Sequence, residues 1–305
     1  MWSKYTLVKD NQTEPVDLSK AVIQSLPDEA AHTHHIIIDV LRLDRIHPII
    51  SGNKWFKLKY HLQDAMQQGK KGIVTFGGAW SNHLVATAFA CRQAGLHATG
   101  IVRGEEPAQL SATLQDAKEY GMQLQFVSRT AFMDQQQGDD YIIPMGGQSH
   151  YGIQGAAEIL SLVSYEHYTH IACAAGTGTM LAGLVQAALP HQQVIGISSL
   201  KMTAGVDNTL HRFVTQQTGK DNFKLFFDYH FGGYARKTHA LIQFMNDLYE
   251  QYALPTDFVY TGKLLFGIKQ LLSTNYFAPG SRILVVHSGG LQGNRSLPAG
   301  TLTFL

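Results

Sequence analysis

The chain has 305 residues, 45% of them hydrophobic, with 24 Lys and Arg against 23 Asp and Glu and a formal net charge of +1. That length suits one large domain or two closely joined ones, and the balanced, scattered charge excludes a basic nucleic-acid surface or an acidic tail. Apolar runs stay short of the roughly 18 residues a membrane span needs, and Met1-Trp2-Ser3-Lys4-Tyr5 does not open a secretion leader, so the expectation is a soluble, cytoplasmic protein with no membrane or nucleic-acid partner.

Residues 1–34 are polar and weakly patterned, with a short helix expected over 18–26, ended by Pro27. Residues 35–43 read as the first strand. Pro48 and Gly52 then break the chain, and helical spacing through Leu58, His61, Leu62, Ala65 and Met66 predicts a helix that starts near Lys54 and ends near Gly69. Strands over 72–78, 98–102, 123–127 and 141–144 alternate with helices over 81–94 and 111–120, and 134–140 is a polar loop. The second half repeats the rhythm: helix 153–163, strand 170–174, helix 180–188, strands 193–199 and 223–231, helices 235–252 and 262–273, strand 282–287. Apolar strands separated by helices predict an α/β fold of parallel sheets covered on both faces, in two sheets and two lobes.

The two cysteines, Cys91 and Cys173, lie in apolar stretches and read as buried, reduced thiols. His32, His34 and His35 fit no standard zinc spacing, and no metal is expected. Lys54, beside the flexible Ser51-Gly52-Asn53 turn, would by itself read as a surface lysine.

Four strand ends run into glycine: Gly77-Gly78, Gly146-Gly147, Gly176 with Gly178, and Gly289-Gly290. In open parallel sheets, ligands bind beyond the carboxyl ends of strands, where glycine lets backbone approach a ligand. The third loop, Gly176-Thr177-Gly178-Thr179, lies between a strand and a helix, so free N–H groups and threonine hydroxyls can cradle an anion. It lacks the Gly-Lys-Ser/Thr ending of a Walker loop, and position 181 is leucine where a dinucleotide fingerprint needs glycine. The loop thus reads as a phosphate site without a nucleoside or, taken alone, as a structural turn. A phosphate cradle and a lysine at two such junctions fit a phosphorylated aldehyde, of which pyridoxal 5'-phosphate, held by lysine as a Schiff base, is the common one. In Gly78-Ala79-Trp80-Ser81-Asn82-His83, Ser81 can cap the next helix, Asn82 can bond a phenolate-type oxygen, and His83 can face a substrate or serve the structure.

Taken together, Gly52-Asn53-Lys54 with Lys57-Leu58, Gly78 with Ser81-Asn82-His83, Gly146-Gly147, Gly176 to Thr179 with Ala182-Gly183, and Val259-Tyr260-Thr261-Gly262-Lys263 followed by His287-Ser288-Gly289-Gly290 resemble the pyridoxal-phosphate enzymes comprising 1-aminocyclopropane-1-carboxylate deaminase and D-cysteine desulfhydrase. The resemblance covers most of the chain and implies the tryptophan-synthase-β-like fold (fold type II). It also implies a large cofactor-binding domain over 1–53 plus 154–305, a small domain over 54–153 inserted in it, and a homodimer. Further, it implies that Lys54 holds the cofactor and moves protons, Asn82 bonds the ring oxygen, and Gly176, Thr177, Gly178 and Thr179 hold the phosphate. Thr261 and Ser288 are expected near the pyridine nitrogen, Tyr260 near the reacting substrate, and Trp80, Ser81, Asn82 and His83 around a small amino-acid substrate.

Deaminases of the family resemble Tyr-Glu-Gly-Lys where this chain has Tyr260-Thr261-Gly262-Lys263. A hydroxyl cannot keep the ring nitrogen charged, so the ring is a weaker electron sink, which favours β-elimination from D-cysteine over opening a cyclopropane. In that reaction Lys54, or Tyr260, takes the α-proton. Two departures bear on substrate choice: Phe56 stands where the family commonly has arginine, and Trp80 where it has glutamine. A pyridoxal-phosphate or amino-acid binder without catalysis is the alternative from another class.

Overall fold

The computed structural model of the protein describes residues 16–128, 132, 139–205 and 208–305; of the expected polar loop, positions 134–138 lie outside the described residues. The larger sheet is built from β1 (Val22–Ser25), β2 (Ile37–Arg42), β7 (His170–Ala175), β8 (Gln193–Ser198), β9 (Phe223–Phe226) and β10 (Arg282–His287), in the order β1-β2-β10-β7-β8-β9. β1 pairs antiparallel with β2, and the other pairs are parallel. The smaller sheet has β3 (Gly72–Gly77), β4 (His97–Arg103), β5 (Met122–Val127) and β6 (Tyr141–Ile143), all parallel, in the order β5-β4-β3-β6. Both sheets are flanked by helices, as the alternating pattern predicts.

Period-two alternation buries both faces of the larger sheet. Ile283 and Val285 of β10 join Ala172, Ala174, Ile195 and Ile197 in a cluster with Leu248 of α8 (His239–Tyr252) and Leu264 and Ile268 of α9 (Thr261–Ser273). Leu284 and Val286 face the other way, into a cluster with Leu58 of α2 (Asn53–Gln67), Ile153 of α5 (His150–Ala157) and Leu181 of α6 (Thr179–Ala187). That same cluster continues into Ile73 and Val102 of the smaller sheet and Leu84 of α3 (Asn82–Ala94), so one apolar core spans both sheets.

Three expectations change. Residues 18–26 are not a helix: a 3-10 turn at Leu18–Lys20, capped by Asp17, leads into β1. Local spacing lost there to the open edge of β2, which offers a row of backbone partners from Val22↔Arg42 to Ser25↔Asp39. The strand expected over 223–231 stops at Phe226. Beyond it the chain turns through positive φ at Phe231 (52°), Gly232 (94°), Gly233 (118°) and Ala235 (53°), which no strand allows. Helix α7 (Thr209–Thr218) was not foreseen, although Asn208 caps its start, Gly219 ends it, and Leu210 and Val214 bury its inner face. The remaining helices are α1 (Glu29–Thr33), against β2 and α9, and α4 (Ala112–Glu119), against α3 and β5. Among the described residues, no helix is long and apolar enough to cross a membrane.

Candidate active site

A cavity of about 560 Å³ opens where strands of both sheets reach their carboxyl ends. Its wall comes from the loops after β3, β6, β7 and β10 and from the first turn of α2. Of the residues singled out from the sequence, Lys54, Trp80, Ser81, Asn82, His83, Gly176, Thr177, Gly178, Tyr260 and Ser288 all line it.

Lys54 is the second residue of α2, and the turn before it is fastened to the far end of the chain. Gly52 takes φ 64°, and a Cβ there would stand 1.7 Å from the carbonyl oxygen of Ser288, so only glycine fits. Asn53 N–H donates to that same oxygen (3.2 Å), and Gly290 N–H donates to Ser51 Oγ (3.3 Å). Lys54 Nζ donates to Asn53 Oδ1 at 3.0 Å. Desolvation pushes the Lys54 amine down to about 8, and the Asp257 carboxylate offsets part of that fall. Lys57, one helical turn on, also lines the cavity and is buried. Burial, and then the charge of Lys54, holds its amine well below the ordinary lysine value, and no carboxylate pairs with it among the described residues.

The anion cradle forms where β7 meets α6. Gly178, at φ 89°, precedes α6 and puts no side-chain oxygen on the first N–H groups, which stay open to a ligand. Thr177 lines the cavity, and its Oγ1 lies 3.2 Å from that of Thr179. The Thr179 side chain itself is fully buried and does not line the cavity; what it offers there is the start of the helix.

On the opposite wall, Ser81 Oγ accepts from Leu84 N–H at 3.3 Å, the helix cap that its position suggested, while also lining the cavity. Asn82 Nδ2 donates to Gly290 O at 3.1 Å, and its buried Oδ1 has no partner. Thr75 spends its one hydroxyl proton on Ile143 O at 2.8 Å, so in its 2.9 Å contact with His83 Nε2 the imidazole is the donor. Burial, reinforced by the lysine charges, holds His83 well below its usual value and so neutral. Its Nδ1 is then a bare lone pair, buried and without a partner. Two orphaned polar atoms on consecutive residues that line the cavity are the mark of a site built to receive polar groups.

Thr261, expected beside the cofactor ring, does not line the cavity. Its hydroxyl donates to Asp257 Oδ1 (2.7 Å) and accepts from Asp257 N–H (2.7 Å), and Asp257 also accepts the N–H groups of Val259, Tyr260 and Thr261. The threonine thus belongs to the cap of α9. Burial and then Tyr234 hold the Tyr260 phenol well above its ordinary value, so it keeps its proton at neutral pH. Tyr234 was not picked out from the sequence. It lies in the positive-φ loop after β9 with its ring 6.1 Å from that of Tyr260, and both line the cavity. The mouth is walled by the exposed side chains of Trp80, Met145 and Tyr234, and Phe56 is buried in the core instead.

Chemically, the wall offers an amine poised near neutrality, open helix N–H groups beside a second buried lysine, an amide and an imidazole with free acceptors, and a protonated phenol. Among the described residues, no Asp or Glu lines the cavity. That set fits a phosphorylated aldehyde: the amine can condense with the carbonyl, and the cradle can hold the phosphate.

The sequence matches the model of the family described as pyridoxal-phosphate dependent enzyme over residues 33–289. It is 28% identical over 266 residues to a Pyrococcus horikoshii protein provisionally assigned as a 1-aminocyclopropane-1-carboxylate deaminase, covering 80% of this chain and 81% of that one. It is 25% identical over 284 residues to the D-cysteine desulfhydrase of Yersinia enterocolitica, covering 82% and 86%. Its fold superimposes on the crystal structure of an ACC deaminase homologue with a TM-score of 0.76 at 26% identity, over 93% of this chain and 94% of that one. A fungal L-serine ammonia-lyase from Rhizomucor miehei shares the fold alone, with a TM-score of 0.66 at 12% identity.

Proposed function

We propose that this chain, which belongs to the pyridoxal-phosphate dependent enzyme family, eliminates the β-substituent of a small amino acid, with D-cysteine giving pyruvate, sulfide and ammonia. The family works through pyridoxal 5'-phosphate. When bound, that group draws electrons from the substrate Cα as the α-proton leaves.

The observation that carries the choice of reaction is the carboxylate-free wall of the cavity. Without an acidic side chain to keep a pyridine nitrogen charged, the electron sink is weak. A weak sink suffices when a good leaving group departs from Cβ and is poorly suited to opening a carbon ring. In the elimination, the Cα–H electron pair becomes the Cα=Cβ bond and the Cβ–S pair leaves with sulfur. Water then releases ammonia from the aminoacrylate to give pyruvate.

In this reading Lys54 anchors the cofactor and, once freed, is the base at Cα, since its amine lies near neutrality. Tyr260 keeps its proton and so serves as a donor to the departing group rather than as the base. The start of α6 with Thr177 binds the phosphate. The second N–H of Asn82 Nδ2 meets the ring oxygen, Ser81 and the α3 start take the substrate carboxylate, and the lone pair of His83 Nδ1 accepts a hydrogen bond from substrate or cofactor. A homodimer in a reducing cytoplasm belongs to the same reading; the two buried, free thiols of Cys91 and Cys173 support the compartment.

The relatives provisionally assigned as 1-aminocyclopropane-1-carboxylate deaminases favour a second reading, ring opening to 2-oxobutanoate and ammonia. One assay separates the two. Purified protein should be yellow from its lysine-bound cofactor and should release sulfide and pyruvate from D-cysteine. Lys54→Ala should lose the colour and at least about a hundredfold in turnover, the scale of a lost general base. Release of 2-oxobutanoate from the cyclopropane acid, with D-cysteine untouched, would establish the second reading instead.

A further inference from the structure

Lys263 is buried in the first turn of α9, yet it neither lines the cavity nor forms an ion pair at salt-bridge distance among the described residues. Its Nζ donates to two backbone carbonyls, those of His230 and Gly233, each at 2.8 Å. Both belong to the loop that carries Tyr234. That loop follows an unfavourable backbone path, with positive φ at two non-glycine residues, Phe231 and Ala235, and at Gly232 and Gly233. Such a path persists only where something outside the loop holds it. Its own bonds, Gly233 N–H to His230 O (3.0 Å) and Gly232 N–H to His230 Nδ1 (2.9 Å), close a turn without fastening it to the body of the protein. Fastening comes from outside the loop: from Lys263, from the edge-on packing of Phe231 on Phe266 with ring centroids 4.8 Å apart, and from the seating of Phe231 on the cluster that holds Leu241, Met245 and Phe258.

We propose that Lys263 is a positioning residue that holds Tyr234 against Tyr260 at the cavity and thereby sets the orientation of the tyrosine pair for the reaction. Tyr260 immediately precedes α9, and Lys263 stands three residues further on. One helical turn therefore carries one tyrosine and ties down the other. Burial pulls the Lys263 amine down to about 8, and the Asp257 carboxylate beneath the same turn offsets part of that fall. The proposal rests on the elimination reading for its catalytic consequence, and on the two hydrogen bonds alone for the tether.

The test uses holoprotein and Lys263→Met, which keeps the length of the side chain and removes the donors. Amide hydrogen exchange over residues 229–236 should quicken while that of β7, β8 and β10 does not change. With D-cysteine, kcat/KM should fall by about tenfold to a hundredfold, the scale of a misplaced reacting group, with the yellow cofactor colour retained. In a Tyr234→Ala background the same substitution should cost less than about twofold, because a residue acting through Tyr234 has nothing left to position. Unchanged loop exchange, or an equal penalty in both backgrounds, overturns the proposal. If Lys263→Met does not fold, Lys263→Gln, which keeps one donor group, takes its place with the same readouts. A wild type inert towards D-cysteine would sink the elimination reading, and loop exchange would still decide the tether.

Discussion

A lysine that condenses with an aldehyde must do so as the free amine, and burial brings Lys54 most of the way there. With its amine at about 8 instead of 10.5, the reactive fraction grows as pH rises through 8. Reconstitution of cofactor-free protein with pyridoxal phosphate, followed by absorbance, should therefore quicken from pH 7 to about 9 and level off there; a rate still climbing towards 10.5 would mean the amine is not desolvated. The residues legible in the sequence were those whose chemistry is carried by their neighbours: Lys54 after Gly52-Asn53, the threonines between glycines, Ser81 at a helix start. The direction of the Thr261 hydroxyl was not legible, because one residue after Tyr260 it can turn towards a ligand or back into its own helix cap, and the fold has it bonded to Asp257. Tyr234 was invisible because its approach to Tyr260 depends on four positive-φ positions that turn what looked like strand into a loop.

Among the elements, α5 lies between α2 and α6, and glycine sets both crossings. A Cβ at Gly155 would stand 1.7 Å from the carbonyl oxygen of Phe56 on α2. That neighbour is backbone and cannot swing aside, so Gly155→Ala must push apart two helices, one of which carries Lys54. The expected cost is about 1–3 kcal/mol, or more if the helices cannot separate, read as a lower urea midpoint with an unchanged slope; an unshifted midpoint would show that the crossing is slack. Element order and type were largely readable, since β3 to β8 and β10 are apolar runs bounded by glycine and caps. The failures came where pairing partners lie far off in sequence. β1 owes its strand form to β2, and α7 sits in a stretch whose caps were present but whose polar face dominates the pattern.

For the molecule as a whole, one core crosses between the sheets while the cavity opens at their strand ends, so a ligand there touches both. Pyridoxal phosphate should raise the melting temperature of cofactor-free protein in a concentration-dependent way, because it binds only the folded state. In Lys54→Ala, part of that rise should survive, since the cradle on α6 does not depend on the lysine bond; calorimetry showing no rise at all in the variant would mean that the phosphate contacts add little. The double-sheet plan was readable from strand–helix alternation. The position of the cavity was readable in outline too, because four glycine-ended strands had to meet somewhere.

The backbone seam between Gly52 and Ser288 also dictates when the site can exist. The segment bearing Lys54 leaves the ribosome well before the Ser288 carbonyl that closes the turn beside it, and the Gly290 oxygen that pins Asn82 follows Asn82 by 208 positions. Contacts this distant in sequence form slowly and late. Until β10 has been made and has slotted between β2 and β7, the nascent chain carries Lys54 with no finished pocket around it.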